Sequence, residues 1–221
     1  MTEKIRQTAQ SMILYSDEDL VILNKPSGLP TQGGTGIRWS VQHLLPALKR
    51  DGDEEPRLVH RLDRDTSGVL VIARTYASAV RFGKILQQHA TNTPPVAKVY
   101  WALVHGKPVP SSGRIVLPLA KTRDGGTDRV VGCEKDKNGR QNTSDLPEKD
   151  TALFARRPAV KRPQQMVTLD GRPVSGAQIA ITEYHVIDHV SDTFSWLELR
   201  PITGRMHQLR YFVCYYNMLM I

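Results

Sequence analysis

The segment HRLDRDTSG, residues 60–68, packs a histidine, two arginines and two aspartates into nine positions, and the apolar run VLVIA follows at once. Asp63, Asp65, Thr66 and Ser67 carry short polar side chains that bond to nearby backbone, and Gly68 suits a tight turn. Such a loop can fix one carboxylate at the mouth of a buried strand. An Arg-x-Asp pair ahead of a strand is ordinarily a structural ion pair. Here the density of polar groups points further, to an Asp63 held rigidly and partly dried. A dried carboxylate needs a cationic partner. Arg61 is the local candidate, and Arg205, within PITGRMHQLR, is a distant one. Paired with a guanidinium, the carboxylate stays ionised at neutral pH, and in a basic cleft it can act as nucleophile or general base.

The elements that must position this loop are legible in the flanking pattern. Residues 13–34, ILYSDEDLVILNKPSGLPTQGG, read as two short strands around the acidic turn Ser16-Asp17-Glu18-Asp19, then a Pro/Gly-rich loop. Val41, Leu44, Leu45 and Leu48 recur at helical spacing. Residues 69–73 form a continuous apolar run, which predicts a strand covered on both faces. Ala79, Phe82, Ile85 and Leu86 mark an amphipathic helix. Residues 98–104, KVYWALV, predict a further strand and 115–119 another. Between 121 and 175 charge, Gly, Pro and Asn dominate, so most of that stretch reads as a long loop, with a basic cluster from Arg156 to Arg162. Residues 177–190 and 194–200 are strand-like, and Leu209, Phe212, Val213 and Tyr216 have helical spacing after a turn at Thr203-Gly204. The expectation is one α+β domain over 13–221, a mixed or antiparallel sheet with flanking helices, preceded by an extension over 1–12.

Composition narrows the partners. The chain of 221 residues carries 30 Lys plus Arg against 22 Asp plus Glu, a net charge of +8. That excess is spread along the chain and predicts a polyanionic partner, most simply a nucleic acid, over plain solubility charge. Cys133 and Cys214 form no CxxC pair, which argues for a reducing compartment and against structural zinc. The histidines form no HExxH pattern. No apolar stretch approaches the length of a membrane span. His207 reads as a structural hydrogen bonder, Gly33-Gly34 as a turn, and one of Tyr100 and Trp101 as a core aromatic.

Four segments then carry a family resemblance. HRLDRDTSGVLVIAR resembles the signature of the RluA-type pseudouridine synthases, and NKPSGLPTQGG, KVYWALVHG and LELRPITGRMHQLR are similar to three further family motifs in the same order. The resemblance implies the pseudouridine synthase catalytic fold and an isomerase acting on a uridine in ribosomal or transfer RNA. By that resemblance Asp63 is the catalytic aspartate, acting on the ribose or the uracil ring. Tyr100 stacks on the uracil and assists proton removal, Arg205 pairs with the aspartate, and Leu209 walls the base. His60 and Arg61 help fill the gap left by the flipped nucleotide. Isomerisation is internally balanced, so the resemblance implies no cofactor and no metal. A monomer, in the cytoplasm or in mitochondria if eukaryotic, is the matching expectation.

Two departures from the family pattern carry expectations of their own. HQLR is followed by YFVCYYNMLMI, an apolar end that predicts a shortened C-terminus, marginal solubility and weakened activity. Too little chain precedes Ile13 to hold the small RNA-binding domain of many relatives. The rival reading is therefore a catalytically weak RNA-binding or ribosome-assembly factor that keeps the fold.

Overall fold

The computed structural model describes residues 3–87, 96–124, 127–135, 166–168, 173–174 and 176–215. The chain divides into two compact units, Met1–Val96 and Ala97–Ile221, each built on its own antiparallel sheet. The basic cluster from Arg156 to Arg162 and the apolar end from Tyr216 lie outside the described residues.

The first unit opens with α1 (Glu3–Ser11), then the hairpin β1 (Ile13–Ser16) and β2 (Leu20–Lys25). The acidic turn works as its residue types predict. Asp17 Oδ1 accepts the backbone N–H groups of Leu20 and Asp19 at 2.7 and 2.8 Å. Those two bonds hold the Asp17 carboxyl below its ordinary pKa. Helix α2 (Val41–Leu48) buries Val41, Leu44, Leu45 and Leu48, the four positions its spacing selects. Strands β3 (Arg57–Leu58) and β4 (Gly68–Ala73) complete a sheet of order β1-β2-β4-β3, and α3 (Tyr76–Gln87) follows. Val21, Leu23, Leu70 and Ile72 are fully buried on the inner face. The other face corrects the two-sided expectation for 69–73, because Val69 is 57% exposed. An antiparallel sheet can leave one face open, and here an unbroken apolar run coexists with strand alternation.

Helix α1 was not marked by the sequence pattern. It forms by packing on α2, with Ala9 fully buried. Arg74, at the end of β4, is buried and fully engaged. Its Nε donates to Asp17 O (2.8 Å), Nη1 to Leu48 O (3.1 Å) and Nη2 to Ser16 Oγ. One guanidinium therefore ties the β1–β2 turn to the end of α2.

The second unit is a sheet of order β5-β11-β10-β6-β7-β8-β9. Its strands are β5 (Tyr100–His105), β6 (Ser112–Asp124), β7 (Thr127–Lys135), β8 (Met166–Thr168), β9 (Pro173–Val174), β10 (Gln178–Val190) and β11 (Phe194–Pro201). Helix α4 (Gln208–Tyr215) packs on β6 and β11. Phe212 sits in a cluster with Ile115, Leu117, Leu119 and Ala180, and Val213 joins Ala102, Val104, Leu197 and Leu199. The long-loop expectation for 121–175 is corrected in part. β6 runs on to Asp124 and pairs with β7, which pairs in turn with β8. Charged residues thin the apolar signal there, whereas the ladder itself needs only backbone N–H and C=O groups.

Arg74→Met should destabilise the chain by about 3 kcal/mol, since two buried carbonyls lose a charged donor. A denaturant midpoint equal to that of the parent chain would show that the guanidinium is not a structural tie.

Candidate active site

The loop that carries Asp63 is held from the opposite side by the segment 25–32. Lys25 ends β2 in the inward register set by Val21 and Leu23, and its side chain is fully buried. Its Nζ donates to three carbonyls, Pro26 (2.9 Å), Leu29 (2.7 Å) and Arg64 (3.0 Å). An ammonium has three protons, and all three find acceptors. Burial pushes the Lys25 ammonium pKa down, and the carboxylates of Asp65 and Asp63 pull it back up. The ammonium therefore both fixes this loop and places positive charge within electrostatic reach of Asp63.

Further bonds continue the same seam. Gly28 N donates to Arg64 O at 2.9 Å, with Gly28 in the left-handed region at φ 84°. Ser27 Oγ donates to Asp65 O at 2.8 Å. The buried Thr31 hydroxyl donates to Leu62 O (2.7 Å) and accepts from Leu62 N (3.1 Å). Within the loop, Thr66 N closes a turn on Asp63 O at 3.1 Å, and Gly68 takes φ 118°. Asp63 itself is half-buried.

His60 and Arg61 flank this turn. His60 Nε2 accepts the Val71 N–H at 2.9 Å, so that nitrogen carries no proton and the ring is oriented by β4. Arg61 is exposed, and its Nη1 donates to Gln32 Oε1 at 3.3 Å. Asp65 pairs with Arg64 at 3.1 Å on the surface.

Tyr100, Arg205 and Leu209 belong to the second unit. Tyr100 and Leu209 are brought together, both half-buried on the cluster of Ala102, Val104, Leu197, Leu199 and Val213. Trp101 points to the opposite face, 67% exposed, edge-to-face with Trp196 at 6.1 Å. Tyr100 is thus the partly core aromatic of the pair. Burial pushes the neighbouring Lys98 ammonium pKa down. Arg205 is exposed, and its Nε donates to Ile179 O at 3.2 Å.

The turn that carries Arg205 hangs on Gln208. This amide is buried and saturated. Its Oε1 accepts from Arg205 N (3.0 Å) and Thr203 Oγ1 (2.8 Å), and its Nε2 donates to Ile181 O and Thr182 Oγ1, both at 2.9 Å. His207 adopts φ 53° at the same turn.

Lys25, Ser27, Thr31 and Gln208 are the positioning residues that residue-level reasoning passed over. The sequence signal for Lys25 was slight: β2 is apolar from Leu20 to Leu23 without alternation, and it is the buried register of Val21 and Leu23 that turns Lys25 inward. Gln208 left no comparable mark, because its partners on β10 are 26 and 27 residues away.

Known proteins share this sequence and fold. Residues 19–214 match the family described as RNA pseudouridylate synthase. The chain is 37% identical over 95% of its length to the Arabidopsis thaliana protein named RNA pseudouridine synthase 4, mitochondrial, and spans 39% of that protein. It is 31% identical over 90% of its length to ribosomal large subunit pseudouridine synthase C of Rickettsia conorii, and spans 50% of it. The chain thus spans half or less of the length of these curated relatives. Among solved structures, human RNA pseudouridylate synthase domain containing 4 superposes with a TM-score of 0.70 at 26% identity, covering 98% of this chain and 70% of that one.

Lys25→Met should speed amide exchange of the 62–66 loop about tenfold or more, because three carbonyls lose their donor together. The exposed neighbour change Asn24→Ala should leave that exchange alone. Equal protection in Lys25→Met and the parent would mean that the ammonium does not hold the loop.

Proposed function

The chain belongs to the RNA pseudouridylate synthase family, and from that premise we propose that it isomerises uridine to pseudouridine in ribosomal or transfer RNA with Asp63 as the catalytic aspartate. The observation that carries the reading is the match across 19–214, which includes the Asp63 loop with its Lys25 clamp and extends through both units.

The reaction breaks the bond between the ribose C1′ and uracil N1, turns the ring, and joins C1′ to C5. The proton on C5 leaves and N1 gains one, so atoms and electrons balance without an oxidant or a hydrolytic water. The chain must supply an oriented carboxylate, a wall that keeps the detached ring, and a proton acceptor. Asp63 supplies the first, acting on the ribose or the ring. Its loop is pinned in advance, which spares reorganisation during the reaction. Tyr100 offers a ring for the uracil and a hydroxyl that assists removal of the C5 proton. Leu209, on the same cluster, makes the apolar wall. Arg205 is the proposed guanidinium partner of Asp63. Its own backbone is fixed by Gln208, so the side chain starts from a defined root.

The target uridine must leave its stack, at a cost of a few kcal/mol. His60 and Arg61 flank the catalytic turn and are suited to the vacated space. The net charge of +8 supplies phosphate attraction along the strand. The names of the relatives support a mitochondrial or a bacterial setting. Among the described residues no helix is long and apolar enough to cross a membrane.

Asp63→Asn should abolish pseudouridine formation, read by chemical labelling and primer extension, while RNA affinity stays within about threefold because phosphate contacts carry it. Substantial turnover by Asp63→Asn would remove the catalytic assignment. Tyr100→Phe should keep folding and binding but slow the reaction about a hundredfold or more, since the ring remains and the hydroxyl that assists proton removal is lost. Equal rates would reduce Tyr100 to packing.

A further inference from the structure

A cleft of about 370 Å³ opens in the first unit between the start of α2 and β3. Its floor is apolar, made by Leu45, Pro56 and Leu58. Its rim is polar, made by Gln32, Gln42, Glu55 and Arg57. The volume lies at the small end for ligand pockets, about the size that takes one flat heterocycle.

The rim is held in place. Gln42 Oε1 accepts from Gly33 N at 3.2 Å, and Gln32 Oε1 accepts from Arg61 Nη1 at 3.3 Å. Each amide oxygen thus has one of its two acceptor positions taken by the protein, while the N–H pair is left to offer a ligand. Arg57 lies over the Tyr76 ring, 5.6 Å from its centroid, and beside Glu54 at 3.8 Å. Glu55 adds an exposed carboxylate, an acceptor only. A site made for phosphate would not carry that charge. Amide donors and one carboxylate over an apolar floor suit a base: its ring on the floor, its edge on the rim. Of the RNA bases, guanine presents two adjacent N–H donors, on N1 and N2, which a carboxylate can accept together.

The cleft is also coupled to the catalytic loop. Gln32 on its rim bonds to Arg61, and Arg61 is two residues, at most about 7 Å of chain, from Asp63. Adding the Arg61 side chain and its bond to Gln32, the Gln32 edge of the cleft lies within about 17 Å of Asp63, a span of two or three nucleotides. We propose that this cleft binds an unpaired guanine of the substrate RNA near the target uridine, and so sets sequence preference. This rests on the reading of the chain as an RNA uridine isomerase.

The test uses the 221-residue chain and a pool of hairpin RNAs with one fixed loop uridine and randomised loop neighbours. Bound RNA is sequenced and, separately, pseudouridine at the fixed position is scored. The parent should enrich guanine about tenfold at one position within three nucleotides of the uridine. Glu55→Gln and Gln42→Ala, both at exposed positions, should flatten that enrichment while total affinity stays within about threefold. The control Glu18→Gln, exposed on the β1–β2 turn, should keep it. Conversion without any neighbouring base preference, or a preference that both variants retain, overturns the cleft and leaves the isomerase reading standing. Guanine enrichment that the variants abolish, with no pseudouridine formed, supports the cleft and removes the isomerase reading. Free guanosine monophosphate that competes as well as the RNA would make this a nucleotide pocket and overturn the proposal.

Discussion

The first unit turns on one buried cation. Lys25 places its ammonium among the carbonyls of Pro26, Leu29 and Arg64, and so joins two loops that are 39 residues apart at their far bond. Burying an ammonium is costly unless its protons are matched. Here the match is complete, and it is made with backbone, not with a carboxylate. Two consequences follow. The Pro/Gly-rich loop and the aspartate loop become one rigid body at this point, since neither can move without unpairing the charge. And the carboxylates of Asp63 and Asp65 are left to other partners while still feeling the ammonium's field.

Gln208 plays the same part in the second unit with a neutral group. An amide has two donor and two acceptor positions, and all four are used. The turn before α4 is thereby fastened to β10, and Arg205 leaves the chain at a fixed point. In both units a loop proposed for catalysis is secured by a buried polar side chain from a regular element or its end. Sites rooted in this way hold geometry better than loops secured by their own sequence alone.

Much of this was legible and some was not, for identifiable reasons. The β1–β2 hairpin, α2, α3, β4 and α4 followed from local turn chemistry and from apolar periodicity. The Asp63 turn followed from its short polar residues and Gly68. Helix α1 escaped because its stability comes from packing on α2, which no local pattern records. β7 escaped because TDRVVGCEK has few apolar residues, and its pairing with β6 is a matter of backbone ladders. Val69 misled in the other direction, since an apolar run implies a covered strand but does not cause one. The family resemblance found the motifs. It took the hydrogen bonds to show why the NK of the upstream motif belongs with the HRLD of the next.

That last point bears on why a lysine stands in the core at all. A methionine or leucine of similar volume would fill the same space, and replacing a buried charge by apolar groups is often neutral or better for stability. Such a replacement is available only if the acceptors go too. Pro26, Leu29 and Arg64 present main-chain carbonyls, which no substitution removes. With the loops in this conformation their carbonyls converge, and only a multi-proton donor can satisfy them. The conformation demands the cation, and the cation in turn permits no other conformation of the loops. The proposed isomerisation calls for a carboxylate that is already oriented when the uracil detaches, and a locked turn meets that call. The expense of a buried ammonium is better explained by that demand for geometry than by stability.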